Sequence, residues 1–128
     1  MKDKKVLVAD RSDTCNTLTK FYLEKLWIRE ENIVVVQDGQ EAIEKTTKEL
    51  FDIIILSPLR LWMGVVDVAN QIKTNYNGEA FKIVKYTSGI LDDTKNEIFD
   101  NVIFKPADKE TFTNEILKLF KTTDLENT

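Results

Sequence analysis

The chain contains no histidine, and that absence alone removes a large share of enzyme chemistry. Without an imidazole there is no Ser-His-Asp or Cys-His catalysis, no histidine metal site and no phosphohistidine intermediate. The single cysteine, Cys15, excludes an internal disulfide framework and a cysteine zinc site, and reads as a small packed or half-exposed residue, not a reactive thiol. The four glycines, Gly39, Gly64, Gly78 and Gly89, stand far apart, so neither a phosphate-cradling P-loop nor a GxGxxG turn exists. No basic block interrupts the balance of 22 acidic against 18 basic residues, net −4, and this chain alone is not expected to bind nucleic acid. The apolar run near the start, Val6 to Ala9, is too short for a signal-peptide core or a membrane span. The expectation is therefore a cytoplasmic protein with no membrane association.

What is present is ordinary globular material, 42% hydrophobic and 31% charged over 128 residues. That length predicts a single domain, 1–128, with a polar, frayed tail over 122–128. Four consecutive aliphatic residues, Ile53 to Leu56, lack the alternation of a half-exposed strand and fit one buried on both faces. The carboxyl end of such a central strand opens onto the ligand crevice of a parallel sheet. Here that end is Ser57.

The rest of the chain alternates around it. Lys5 to Ala9 reads as a first strand, followed by the polar turn Asp10-Arg11-Ser12-Asp13, where Ser12 or Asp13 can cap a helix. That helix carries Leu18, Phe21, Tyr22, Leu23, Leu26 and Trp27 as its expected core face. Ile33 to Val36 is a second strand, and Gln40 to Leu50 a helix with Ala42 and Ile43 inward. After Ser57 comes an apolar loop, in which Leu61 and Met63 suit the core and Trp62 suits an exposed partner anchor. Val65 to Tyr76 forms a third helix, ended by the turn pair Asn77-Gly78. Lys82 to Thr87 is a fourth strand, Leu91 to Phe99 a short acidic helix, and Val102 to Phe104 a fifth strand. Asp108 then caps a last helix carrying Phe112, Ile116, Leu117, Leu119 and Phe120. Five strands alternating with five helices predict a flavodoxin-like three-layer α/β sandwich, its parallel sheet ordered 2-1-3-4-5 with helices on both faces. In that order Asp10, Arg11 and Ser57 flank one crevice, with Thr87 and Lys105 at the ends of strands four and five.

Val-Leu-Val-Ala-Asp10-Arg11, Asp52-Ile-Ile-Ile-Leu-Ser57, Tyr86-Thr87-Ser88 and Phe104-Lys105-Pro106, in this order and spacing, resemble the CheY-like receiver domain of bacterial response regulators. The resemblance runs from Lys5 to Lys121 and implies a role in two-component phosphorelay signalling. It implies a cis peptide bond at Lys105-Pro106. In the family, two acids after strand one and an acceptor aspartate after strand three hold Mg²⁺, while a lysine, a hydroxyl and a strand-five aromatic answer the phosphate. Here the second acid is Arg11, the acceptor position is Ser57 and the aromatic position is Val102, whereas Asp10, Thr87 and Lys105 match. The interval from Thr87 to Lys105 is also about one helical turn shorter than the family's.

Asp10, Arg11 and Lys105 set one acid against two bases, a formal net charge of +1, which gives a divalent cation no reason to bind. A serine hydroxyl is moreover a far weaker nucleophile than a carboxylate at neutral pH. The leading expectation is a pseudo-receiver, non-enzymatic, without metal or cofactor, that engages a signalling protein independently of phosphorylation. In it Lys105, Asp10 and Arg11 would form a fixed network. Two alternatives stand beside it. Another acid could accept phosphate, although Asp52 lies roughly 16 Å down the strand from Ser57 and Asp10 would lack a metal. Or the net-positive crevice could sense a small anion through Arg11, Lys105, Thr87 and Ser57. A Ser57–Lys105 hydrolase is disfavoured by the lack of an oxyanion-binding glycine turn. Lys85, inside an apolar strand, either snorkels or pairs with Asp92 or Asp93.

Overall fold

The structure, a computed structural model, describes residues 1–57, 64–88 and 97–126, with 121–126 as backbone only. The elements in chain order are β1 (Val6–Ala9), α1 (Asp13–Glu24), a 3-10 turn (Glu30–Asn32), β2 (Ile33–Val36), α2 (Gly39–Lys48), β3 (Ile53–Leu56), α3 (Val65–Asn75), β4 (Lys82–Thr87), β5 (Asn101–Phe104) and α4 (Lys109–Glu126). All strand pairings are parallel, and the sheet order is β2-β1-β3-β4-β5. This is the flavodoxin-like order expected from the alternation of strands and helices.

β3 is fully buried at every residue, as its unbroken aliphatic run requires of a central strand. Alternate residues of each strand feed two cores. Val6, Val8, Ile53, Ile55, Val84, Tyr86 and Ile103 pack with Tyr22, Leu23, Phe112 and Ile116 on the α1/α4 side. Leu7, Ala9, Ile54, Leu56 and Ile83 pack with Ala42, Val68, Ala69 and Ile72 on the α2/α3 side. The period of two in side-chain direction thus sorts one strand set into two layers.

One expectation about the helices needs correction, that for the inward face of the first. Tyr22, Leu23 and Leu26 of the α1 region are buried, but Leu18 (44% exposed), Phe21 (49%) and Trp27 (81%) face outward. The inward face of α1 is built on Asn16, Thr19, Tyr22 and Leu23, and two polar members hide it from a hydrophobic reading. The helix also ends at Glu24, so Trp27 leaves the helical periodicity and adopts a left-handed backbone, φ 68°. Next, the expected helix over 91–99 lies largely outside the described residues. Its end, residues 97–100, forms turns, because Asp100 is held by β4: Ile83 N donates to Asp100 Oδ2 (2.7 Å) and Asp100 N donates to Ile83 O (2.8 Å). The described residues therefore show four helices. Finally, α4 continues to Glu126 where a frayed tail from 122 is expected, and its Leu117 is exposed.

Candidate functional site

The carboxyl ends of β1, β3, β4 and β5 lie side by side, and the sequence places its chemistry there. Asp10 leaves β1 with its N–H donating to Val36 O (3.1 Å), which fixes it against the end of β2. Ser57 leaves β3 with its N–H donating to Ala9 O (3.0 Å), so Ser57 and Asp10 end adjacent strands. Lys105 leaves β5 with its N–H donating to Thr87 O (2.8 Å). Asp10, Ser57 and Thr87 are all buried.

The Asp10 carboxylate is the centre of the arrangement. Its Oδ2 accepts from Lys105 Nζ at 2.8 Å, an ion pair in which the Asp10 side chain is 6% and that of Lys105 22% exposed. Its Oδ1 accepts from Ser12 N at 2.9 Å. Ser12 in turn caps α1, its Oγ accepting from Cys15 N at 3.2 Å. The Asp10 carbonyl accepts from Asn16 Nδ2 at 2.8 Å. Asn16 is thus a structural supporter of the site that sequence reading misses. An asparagine in the first turn of a helix carries no signal of burial.

Lys105 Nζ also lies 5.0 Å from the centroid of the Tyr86 ring, within cation–π range. Burial pushes the Tyr86 phenol up to about 12, with the neighbouring Tyr22, Cys15 and Asp10 adding in the same direction. The peptide bond Lys105–Pro106 is cis.

Arg11 departs from the expected network. It is exposed, and among the described residues it makes no ion pair with Asp10. The pair is Lys105 with Asp10, closed without it. Val102 is partly buried against the α2/α3-side core. Lys85, 1% exposed, packs its Nζ 5.8 Å from the Phe99 ring, an aromatic neighbour that the reading in terms of Asp92 and Asp93 does not include. Those two acids and Trp62 lie outside the described residues. Asp52 sits at the amino end of β3, its Oδ2 accepting from Lys5 N at 2.8 Å, on the opposite edge of the sheet from Ser57.

No protein-family model matches the chain, and no curated protein matches it in sequence. Solved structures do. The receiver domain (CheY-like) of a response regulator from Methylobacillus flagellatus superposes with a TM-score of 0.79 at 17% identity, covering 91% of this chain and 98% of that one. The N-terminal domain of a response regulator/sensory box/GGDEF three-domain protein from Carboxydothermus hydrogenoformans gives 0.80 at 17% identity, covering 98% and 100%. The chain has the receiver-domain fold. The receiver domain of a sensor histidine kinase from Pseudomonas aeruginosa gives 0.75 at 16% identity over 92% and 95% of the two chains, and carries a magnesium ion coordinated in its active-site cleft. Asp10 and Lys105 meet at the carboxyl edge of the sheet, at the ends of β1 and β5. Among the described residues no helix is long and apolar enough to cross a membrane.

Proposed function

We propose that this chain is an atypical receiver domain of two-component signalling, acting as a phosphorylation-independent protein-interaction module. The observation that carries the reading is the ion pair between Lys105 and Asp10, 2.8 Å long, at the edge where β3 ends in Ser57, the residue that the resemblance sets at the acceptor position. A receiver that responds to phosphate keeps its lysine for an acceptor carboxylate and its phosphate. Here the lysine is neutralised by Asp10 itself, and the adjoining residue offers a hydroxyl, which is a poor nucleophile without a neighbouring base.

The donor set does not suit Mg²⁺. A hard divalent cation takes several oxygens, preferably carboxylates. Of the Asp10 oxygens, Oδ2 faces Lys105 and Oδ1 faces the Ser12 N–H. Ser57 contributes a neutral hydroxyl, and the residue after Asp10 is Arg11 and supplies no carboxylate. The chain is accordingly read as non-enzymatic and independent of a metal cofactor. Its partner is read as a protein of the signalling pathway, met through exposed apolar side chains such as Phe104 on β5. Membrane and nucleic acid are not expected partners, given the net charge of −4.

Incubation with acetyl phosphate and Mg²⁺, followed by intact-mass measurement, tests this directly. The mass should not change, and Mg²⁺ at millimolar concentration should not raise the melting temperature, because only a ligand of the native state stabilises it. A phosphoryl adduct mapped to Asp10 or Ser57 overturns the reading.

A further inference from the structure

The aromatic rings on the α1/α4 side of the sheet form an unbroken series between the ion pair and the surface. It begins with Lys105 Nζ, 5.0 Å from the centroid of Tyr86. Tyr86 lies 5.2 Å from Phe112, and Phe112 lies 5.6 Å from Tyr22. Tyr22 lies 6.3 Å from Phe21. Every separation falls in the range where tilted rings attract one another. Tyr86, Phe112 and Tyr22 are buried, whereas Phe21 is half exposed with Lys25 Nζ set 4.6 Å from its centroid. The series therefore starts at the crevice, crosses β4, α4 and α1, and surfaces in a shallow groove of about 500 Å³ lined by Asp13, Thr14, Thr17, Leu18 and Phe21.

We infer that the state of the Asp10–Lys105 pair is read out at this α1 groove through the ring series. The structure holds the pair closed, with Lys105 bonded to Asp10 and set over the Tyr86 face. The readout needs a second arrangement, in which Lys105 turns to solvent, to which its side chain is already 22% exposed. An anion competing with Asp10 for Lys105 Nζ favours the second. When the cation leaves, the Tyr86 ring loses a contact on one face only, and a close-packed interior cannot absorb that change locally. The displacement passes to Phe112, then Tyr22, then Phe21. A second route exists along the chain, from Asp10 through Ser12 into the first turn of α1, but it does not involve Tyr86. This inference rests on the contacts and holds whether or not the domain can be phosphorylated.

Spatial continuity alone is no proof of coupling, so the test is a cycle. Methyl and aromatic NMR spectra of the full chain are compared for wild type, Lys105→Met, Tyr86→Leu and the double variant. Lys105→Met should displace the Leu18 methyl and Phe21 ring resonances. In the Tyr86→Leu background the same substitution should displace them at least about threefold less, since the first ring is gone. Tyr22→Leu, at a less deeply buried ring, gives a second background should Tyr86→Leu not fold. Lys118→Met, which removes an exposed α4 charge paired with Glu115, should leave both resonances in place. Unmoved Leu18 and Phe21 signals in Lys105→Met overturn the inference. So does a displacement undiminished without the Tyr86 or Tyr22 ring, or one matched by Lys118→Met.

Discussion

Replacing Lys105 by Met keeps much of the stem and removes the charge, leaving the Asp10 carboxylate buried and without its counter-ion. At 2.8 Å and an effective dielectric near 20, the pair's gross attraction is about 6 kcal/mol, most of it offset by the desolvation of both groups. Breaking one side of a buried pair typically costs about 3–5 kcal/mol. Two features here reduce that. Lys105 keeps partial solvent contact, and Asp10 Oδ1 keeps its bond from Ser12 N. The expected loss is about 2–3 kcal/mol, including a small share from the cation–π contact with Tyr86. Asp10→Asn together with Lys105→Met removes both charges and should cost only about 1 kcal/mol, so the two substitutions are strongly non-additive. Urea unfolding at neutral pH, with the slope unchanged between variants, measures all three. A Lys105→Met loss below about 0.5 kcal/mol, or a double variant equal to the sum of the singles, would show that the pair contributes no net stability.

Arg11→Ala should change stability by less than about 0.5 kcal/mol in the same assay, because Arg11 is exposed and stands outside the ion pair. Trp27→Gly should stabilise by up to about 1 kcal/mol, since glycine adopts the left-handed backbone (φ 68°) freely and the indole is mostly in water. Asp38→Ala should cost about 1 kcal/mol by removing the α2 cap, where Asp38 Oδ1 accepts from Glu41 N at 2.8 Å. Tyr86, whose folded value is raised to about 12, stays neutral in the native state after the unfolded chain has begun to ionise near 10. Its contribution is thus complete below pH 10 and is lost as pH rises toward 12. Thermal melts across that window should fall less steeply for Tyr86→Phe, and equal slopes would contradict the assignment.

Much of the fold is legible in the residues because strands and turns leave local marks. The unbroken run Ile53 to Leu56 marks the central strand, and β1, β2 and β4 follow from short apolar runs closed by polar turns. The strand ends then fix which residues share the crevice edge, so Asp10, Ser57, Thr87 and Lys105 are brought to one side of the molecule by order alone. Helical faces are less legible. The α1 region carries six apolar residues at near-helical spacing, yet only Tyr22, Leu23 and Leu26 turn inward, because Asn16 and Thr19 take inward positions as polar residues. Asn16 can do so because the Asp10 carbonyl accepts its amide, a bond that composition does not announce.

The identity of Asp10's counter-ion was decided only by the tertiary structure. In the sequence Arg11 is the adjacent cation and Lys105 lies 95 residues away, so both appear as members of one network. In space the carboxylate turns inward and bonds Lys105, which parallel pairing of β5 with β4 delivers to the same edge, while the next side chain along the chain points to solvent. Local sequence specifies the strand and its end. Which of two like charges reaches a buried acid depends on the direction of each side chain, and that is fixed by the packed sheet.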